Sequence, residues 1–143
     1  MNPKKPRRNC KQCGKEVHGV VAVYCSNACQ REFQYQDYIR RWKVGEVSGN
    51  RGTTSISLNI RHYLIDRDGE QCSICGWDER HHVTNRVPLE IDHVDGNHGN
   101  HSEANLRLIC PNCHSLTPTF RNLNKGNGRP SRRKNGKDAV SPT

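Results

Sequence analysis

The chain has 143 residues, of which 31% are hydrophobic and 6% aromatic, and a formal net charge of +9. That is enough for one ordinary domain or two very small ones, but too little apolar material for a large core, so something besides hydrophobic burial must hold the fold. No segment approaches the roughly 20 apolar residues of a membrane span, and no apolar stretch follows the basic start Met1–Arg8, so the expectation is a cytoplasmic protein with no membrane partner.

Charge is unevenly spread. Residues 1–45 carry ten basic and three acidic side chains, residues 46–120 six and ten, and residues 121–143 seven and one. Two basic arms flank an acidic centre. Basic arms suit a polyanion such as DNA, and an acidic centre suits a divalent cation. All eight cysteines fall in close pairs. In a chain without a secretion signal, such pairs read as metal ligands rather than disulfides.

In chain order, residues 1–9 form a Pro/Lys/Arg-rich arm. Cys10-x2-Cys13 and Cys25-x3-Cys29 make the first cysteine unit. Between them, Val20–Tyr24 reads as a short strand. Ser26 and Asn27 are good N-caps for a helix from Ala28 to about Val44, with Phe33, Tyr35, Tyr38, Ile39 and Trp42 as its apolar positions and Gly45 as its stop. Residues 45–55 are rich in Gly, Ser and Thr and read as a linker or ordered loop. A second helix is expected from Leu58 to Arg67, with Ile60, Tyr63 and Leu64 on one face and Asp68-Gly69 ending it. Cys72-x2-Cys75 and Cys110-x2-Cys113 form the second unit, around an excursion of 34 residues. That is longer than a zinc ribbon needs, so the excursion is expected to carry something of its own. Each unit offers four thiolates, a closed structural zinc set with no open coordination position for chemistry.

Inside the excursion, Leu89 and Ile91 alternate with polar residues as a strand running into Asp92-His93. Asp95–Asn100 is a loop. Leu106–Ile109 is a second strand, and Pro111 opens a helix that contains His114. Strand, loop, strand and helix would be fastened by the zinc knuckle. The residues suit phosphodiester hydrolysis. His93, with an ordinary pKa of about 6.5, can accept a water's proton. Asp92 and His114 can hold a divalent cation beside the phosphate; one carboxylate and one imidazole do not choose strongly among Mg²⁺, Mn²⁺, Ni²⁺ and Zn²⁺, and Mg²⁺ is expected from availability, with Mn²⁺ as a substitute. Asn105 can pin the loop and orient His93.

Asp92-His93, Asn105 and His114, bracketed by the two cysteine pairs, resemble the HNH endonuclease family. The run Asn105-Leu-Arg-Leu-Ile-Cys-Pro-Asn-Cys-His114 is especially characteristic, and residues 60–121 look like free-standing phage and bacterial HNH proteins, several of which have a similar Cys-rich N-terminal module. The resemblance implies a ββα-metal fold and DNA cleavage leaving 5′-phosphate and 3′-hydroxyl ends. It also implies a place in a bacterial or phage-infected cell. Some members carry a further metal ligand where this chain has Pro118.

The expected architecture is α+β. Residues 1–45 comprise the basic arm and a treble-clef or zinc-ribbon-like four-cysteine module with its helix. Residues 46–59 are a linker or loop, 60–123 the small zinc-stabilised ββα-metal nuclease domain, and 124–143 a basic, flexible tail. Cys10, Cys13, Cys25 and Cys29 would hold one structural zinc, and Cys72, Cys75, Cys110 and Cys113 another. Arg40, Arg41, Lys43, Arg121, Lys125, Arg129, Arg132 and Arg133 are the candidate DNA contacts. His81-His82 and the loop histidines His98 and His101 read as exposed. The candidate partners are DNA, a second copy, and a phage packaging or terminase assembly; homing is a further candidate role. The rival reading is a non-catalytic zinc-finger nucleic-acid-binding protein with a relic HNH fold.

Overall fold

A computed structural model describes residues 8–19, 22–53 and 55–126. Its elements are β1 (Arg8–Asn9), β2 (Glu16–Val17), α1 (Asn27–Lys43), β3 (Asn50–Arg51), β4 (Ser55–Ile56), α2 (Leu58–Asp68), β5 (Glu90–His93), β6 (Leu106–Ile109) and α3 (Pro111–Ser115). Single 3₁₀ turns occupy Glu103–Asn105 and Arg121–Leu123. The strands form three antiparallel pairs, β1–β2, β3–β4 and β5–β6. The mixed α+β character expected from the sequence is therefore present.

Local signals set the helix limits. Ser26 caps α1, its hydroxyl accepting from the Cys29 N–H at 3.2 Å, as a serine just outside a helix does. The helix stops before Gly45, whose φ of +79° lies in the left-handed region. Tyr35, Tyr38, Ile39 and Trp42 follow helical spacing along the face turned to the core. In α2, Ile60 and Leu64 share one face and are wholly buried, and Gly69 follows the last turn. The strand expected over Val20–Tyr24 is not formed at Ala22–Tyr24, and Val20 and Val21 lie outside the described residues. A two-residue pair, β1–β2, carries the first knuckle instead.

One core joins these pieces. Ile39 and Trp42 of α1 pack with Ile60 and Leu64 of α2, and with Leu106, Leu108 and Ile109 of β6. Val87, Leu89, Cys72, Cys110 and Cys113 complete it. Segment 46–59 contains the β3–β4 pair, and its Gly49 is buried. A Cβ on Gly49 would stand 2.6 Å from Ile60 Cδ1 and 3.1 Å from Trp42 Nε1, so only glycine lets the backbone pass there. With so small a core, each large side chain counts. Leu64→Ala is expected to cost about 2–5 kcal/mol, read as a lower denaturation midpoint at unchanged m-value.

β5 and β6 run antiparallel in the register Glu90↔Ile109, Ile91↔Leu108, Asp92↔Arg107 and His93↔Leu106. α3 follows β6 directly and packs on β5. Cys110 caps it, its sulfur accepting from the Cys113 N–H, and Pro111 takes the first helical position. This places His114 beside the strand that carries Asp92.

Candidate active site and its zinc knuckles

Each cysteine quartet converges. The four sulfurs of Cys10, Cys13, Cys25 and Cys29 lie within 4.8 Å of one another, as do those of Cys72, Cys75, Cys110 and Cys113. Individual separations are 3.5 Å for Cys13–Cys25, 3.4 Å for Cys25–Cys29 and 3.8 Å for Cys75–Cys110. A zinc tetrahedron with Zn–S of about 2.3 Å has edges of about 3.8 Å. All eight cysteines are free thiols. Backbone N–H groups, first that of Cys13 and then those of Cys25 and Gln12, outweigh burial and hold the Cys10 thiol down to about 6. Neighbouring thiols, first Cys29 and then Cys13, push Cys25 up to about 12. Burial, reinforced by Cys75 and Cys110, pushes Cys113 up to about 12. Four thiolates so close repel one another unless a cation sits among them. Both quartets fit tetrahedral zinc.

The nuclease-like residues meet at the end of the β5–β6 hairpin. Asp92 is 4% exposed. Its Oδ2 accepts from Arg107 Nε at 2.8 Å, the cross-strand partner in the register above. Its Oδ1 lies 4.0 Å from His114 Nε2. The other ring nitrogen, His114 Nδ1, contacts the Glu90 carboxylate. Two donors, Asp92 Oδ1 and His114 Nε2, therefore face each other at a separation that two metal–ligand bonds of about 2.0–2.2 Å can span. Arg107 and Glu90 occupy the atoms that face away, the arrangement by which outer partners aim metal ligands. Phe120 meets the His114 ring edge-on at 5.4 Å. These residues fit a divalent cation.

His93 closes β5 and is half-buried. Burial, and then the repulsion that His101 would exert if both rings were protonated, holds its pKa below the usual histidine value. His93 Nε2 lies 3.0 Å from His101 Nδ1. Asn105 is buried and binds the loop: its Oδ1 accepts from the Asp95 N–H at 3.0 Å, and its Nδ2 donates to Asp95 Oδ1 at 2.8 Å and to the Asn100 carbonyl at 2.9 Å. Its backbone carbonyl accepts from the Val94 N–H at 2.9 Å. Hydrogen bonds from Asn100, the Asn97 backbone and Asn105 in turn hold the Asp95 pKa below the usual carboxylate range. The Asn105 side chain thus pins the loop after His93, whereas the ring itself is held by His101. His101, expected to be an exposed loop histidine, is only 7% exposed. Its carbonyl accepts from Trp42 Nε1 at 2.7 Å, and this draws it into the core.

Ile91, Asp92, His93, Gly96, His98, His114, Thr119, Arg121 and Asn124 line an open cleft here. Gly96 has φ +74°, and a Cβ on it would stand 2.6 Å from Thr119 Cγ2 and 2.8 Å from Asn124 Oδ1. Asn124 also donates to the Gly96 carbonyl at 2.6 Å. Gly96→Ala is expected to destabilise the protein by about 1–3 kcal/mol and to slow any chemistry at the cleft. Thermal melting and activity on the same preparation check both.

The candidate DNA contacts differ among themselves. Arg121 lines the cleft, its guanidinium 4.9 Å from the centre of the Phe120 ring. Lys125 is exposed. Arg40 pairs with Asp37 at 3.0 Å and Glu46 at 3.7 Å, Arg41 with Glu46 at 3.2 Å, and Lys43 with Glu103 at 3.4 Å. These three charges are already balanced by carboxylates. Arg129, Arg132 and Arg133 lie outside the described residues. His81 and His82 stack at 4.9 Å on an exposed turn, as expected. No helix among the described residues is long and apolar enough to cross a membrane.

Sequence reading missed Glu90, Arg107 and the role of His101. Glu90 was detectable in principle, since it precedes Asp92 by two and so points to the same side of the strand. Arg107 needed the strand register, and His101 needed the tertiary fold.

Comparison with known proteins agrees with this geometry. Residues 72–117 match the HNH endonuclease family. The H-N-H endonuclease F-TflIV of Escherichia phage T5 is 46% identical over 93 residues, 64% of this chain. The chain spans about 40% of the length of that relative. No solved structure gives a significant match. The matched segment holds both knuckles of the second quartet together with Asp92, His93, Asn105 and His114, so it is over the residues of the site that the chain is similar to HNH endonucleases.

Proposed function

We propose that the protein is a metal-dependent DNA endonuclease. The observation that carries this reading is the placement of Asp92 Oδ1 and His114 Nε2 4.0 Å apart, with His93 beside them in one open cleft. The name of the phage T5 relative, an endonuclease, supports it as well. In this reading both cysteine quartets hold structural zinc, and Asp92 and His114 hold one divalent cation, Mg²⁺ by availability or Mn²⁺. When bound, that cation supplies charge stabilisation to the phosphate and the departing 3′ oxygen. His93 removes a proton from the attacking water, Asn105 keeps the loop after His93 in place, and Arg121 at the rim offers a cation to a phosphate. Phosphodiester hydrolysis of this kind leaves a 5′-phosphate and a 3′-hydroxyl. A single site cuts one strand per encounter, so a monomer nicks, and a double-strand break takes two events or two copies. Cytoplasmic DNA is the substrate.

The ends test the reaction type. Supercoiled plasmid nicked by the protein should be resealed by DNA ligase without end repair, because ligase needs a 5′-phosphate beside a 3′-hydroxyl. Nicks that cannot be sealed until their ends are repaired would contradict the hydrolytic assignment. Asp92→Asn should cut cleavage by at least about 100-fold at low Mg²⁺, measured on protein that is still folded and zinc-loaded at the assay temperature.

A further inference from the structure

The segment at residues 45–55 has no part in the site as described so far, yet it reaches His93. Asn50 Oδ1 lies 2.6 Å from His101 Nε2, and His101 Nδ1 lies 3.0 Å from His93 Nε2. The three side chains are a continuous line from β3, through the loop before β6, to the end of β5. We propose that Asn50 and His101 are positioning residues that fix the His93 tautomer, leaving its Nδ1 as the bare nitrogen that takes the proton of the attacking water. The inference rests on reading His93 as the general base.

The hydrogen-bond logic runs in one direction. An amide oxygen only accepts, so His101 Nε2 carries the proton directed at Asn50 Oδ1. Neutral His101 then has a lone pair at Nδ1. His93 Nε2 must donate to that lone pair, since two lone pairs, or two protons, would repel across 3.0 Å. His93 Nδ1 is left without a proton. A base held in the wrong tautomer cannot accept, however well it is placed, so a device that selects the tautomer is worth a large factor in rate.

The line is anchored to the core at two points. Trp42 Nε1 donates to the His101 carbonyl, and His101 is buried. Asn50 is set by its neighbour Gly49, which passes against Trp42 and Ile60 where a side chain would not fit. β3 pairs Asn50 with Ile56 of β4. The N-terminal half of the chain therefore supplies the far end of a relay to the base in the C-terminal half.

Three variants of the full, zinc-loaded chain test it. His101→Phe keeps a ring in the pocket and removes both nitrogens. His101→Asn restores an acceptor oxygen near the Nδ1 position. Asn50→Ala removes only the end of the line. Cleavage at saturating DNA is expected to fall about 10- to 100-fold in His101→Phe, and by less in Asn50→Ala, with DNA affinity unchanged. His101→Asn should recover most of the rate. Independently of activity, ¹⁵N NMR of neutral His93 should show a protonated Nε2 in wild type and a mixture of tautomers in His101→Phe and Asn50→Ala. A protonated Nδ1 in wild type, or a tautomer that does not respond to either variant, overturns the proposal. So does a folded His101→Phe protein that cleaves at the wild-type rate, or His101→Asn as slow as His101→Phe. A protein that shows the NMR signature but cuts no DNA leaves the relay standing and removes the nuclease reading instead.

Discussion

His93→Ala should slow DNA cleavage by about 10²–10⁴-fold, the usual contribution of a positioned general base, while zinc content, melting temperature and DNA affinity stay as in wild type. The side chain sits at the last position of β5, half-buried, and is hydrogen-bonded to His101. Truncation opens space at the edge of the cleft and leaves the core cluster of Leu64, Leu106 and Leu108 untouched. The loss should fall on the rate at saturating DNA and not on binding, as for a group used in the transition state alone. Asp92→Asn should behave differently. Asp92 is read as a metal ligand and also pairs with Arg107 inside the hairpin, so its replacement should raise the cation concentration that cleavage requires and cost some stability too. A His93→Ala protein that cuts at the wild-type rate would remove the histidine from the chemistry.

Stripping zinc from the second quartet should unfold the part of the chain that carries Asp92, His93 and His114. Cys72, Cys110 and Cys113 are members of the hydrophobic core, packed with Val87, Leu89 and Ile109, and their quartet fastens α3 to the turn that follows α2. Structural zinc contributes roughly 10–16 kcal/mol in small domains, comparable to or above the roughly 5–15 kcal/mol by which a folded domain usually survives. Chelation, or Cys110→Ser, should therefore abolish the cooperative melting transition and cleavage together. Added Mg²⁺ should restore neither, and added Zn²⁺ should restore both after chelation. Cys13→Ser should be milder. Its quartet lies outside the core cluster, and the elements it holds are the β1–β2 pair and the start of α1. Circular dichroism and metal content, followed during chelation, separate these outcomes. Retention of the full transition in zinc-free protein would contradict the assignment of the second quartet as structural.

What the sequence disclosed follows from how local each feature is. Ser26, Gly45 and Gly69 mark helix ends through their own backbone chemistry, and the helices stop where those residues say. The cysteine spacings and the Asp92–His114 pattern anticipated which residues converge because knuckles, hairpin and short helix are contiguous along the chain. Long-range partners were not legible. His101 is polar and lies among Gly and Asn, so nothing local separates it from a solvated loop residue; its tertiary partners, among them Trp42, Asn50 and His93, come from distant parts of the chain or from the neighbouring strand. Asn50 lies 51 positions from His101 in a segment with turn-like composition. Arg40, Arg41 and Lys43 read as free cations for DNA until folding set Glu46 and Glu103 against them. Of the strand expected over Val20–Tyr24, Ala22–Tyr24 are not strand, and the β1–β2 pair, closed by the Cys10 N–H to the Lys15 carbonyl at 2.7 Å, presents the knuckle there.

The most direct test of the central claim is plasmid cleavage by zinc-loaded protein in buffer freed of other divalent cations, before and after addition of Mg²⁺ or Mn²⁺. Conversion of supercoiled to open-circular DNA only after the cation is added, and by wild type but not His93→Ala, is the expected result. DNA that is bound under every metal condition and never cut, across plasmids of varied sequence, would contradict it and leave a zinc-organised nucleic-acid-binding protein.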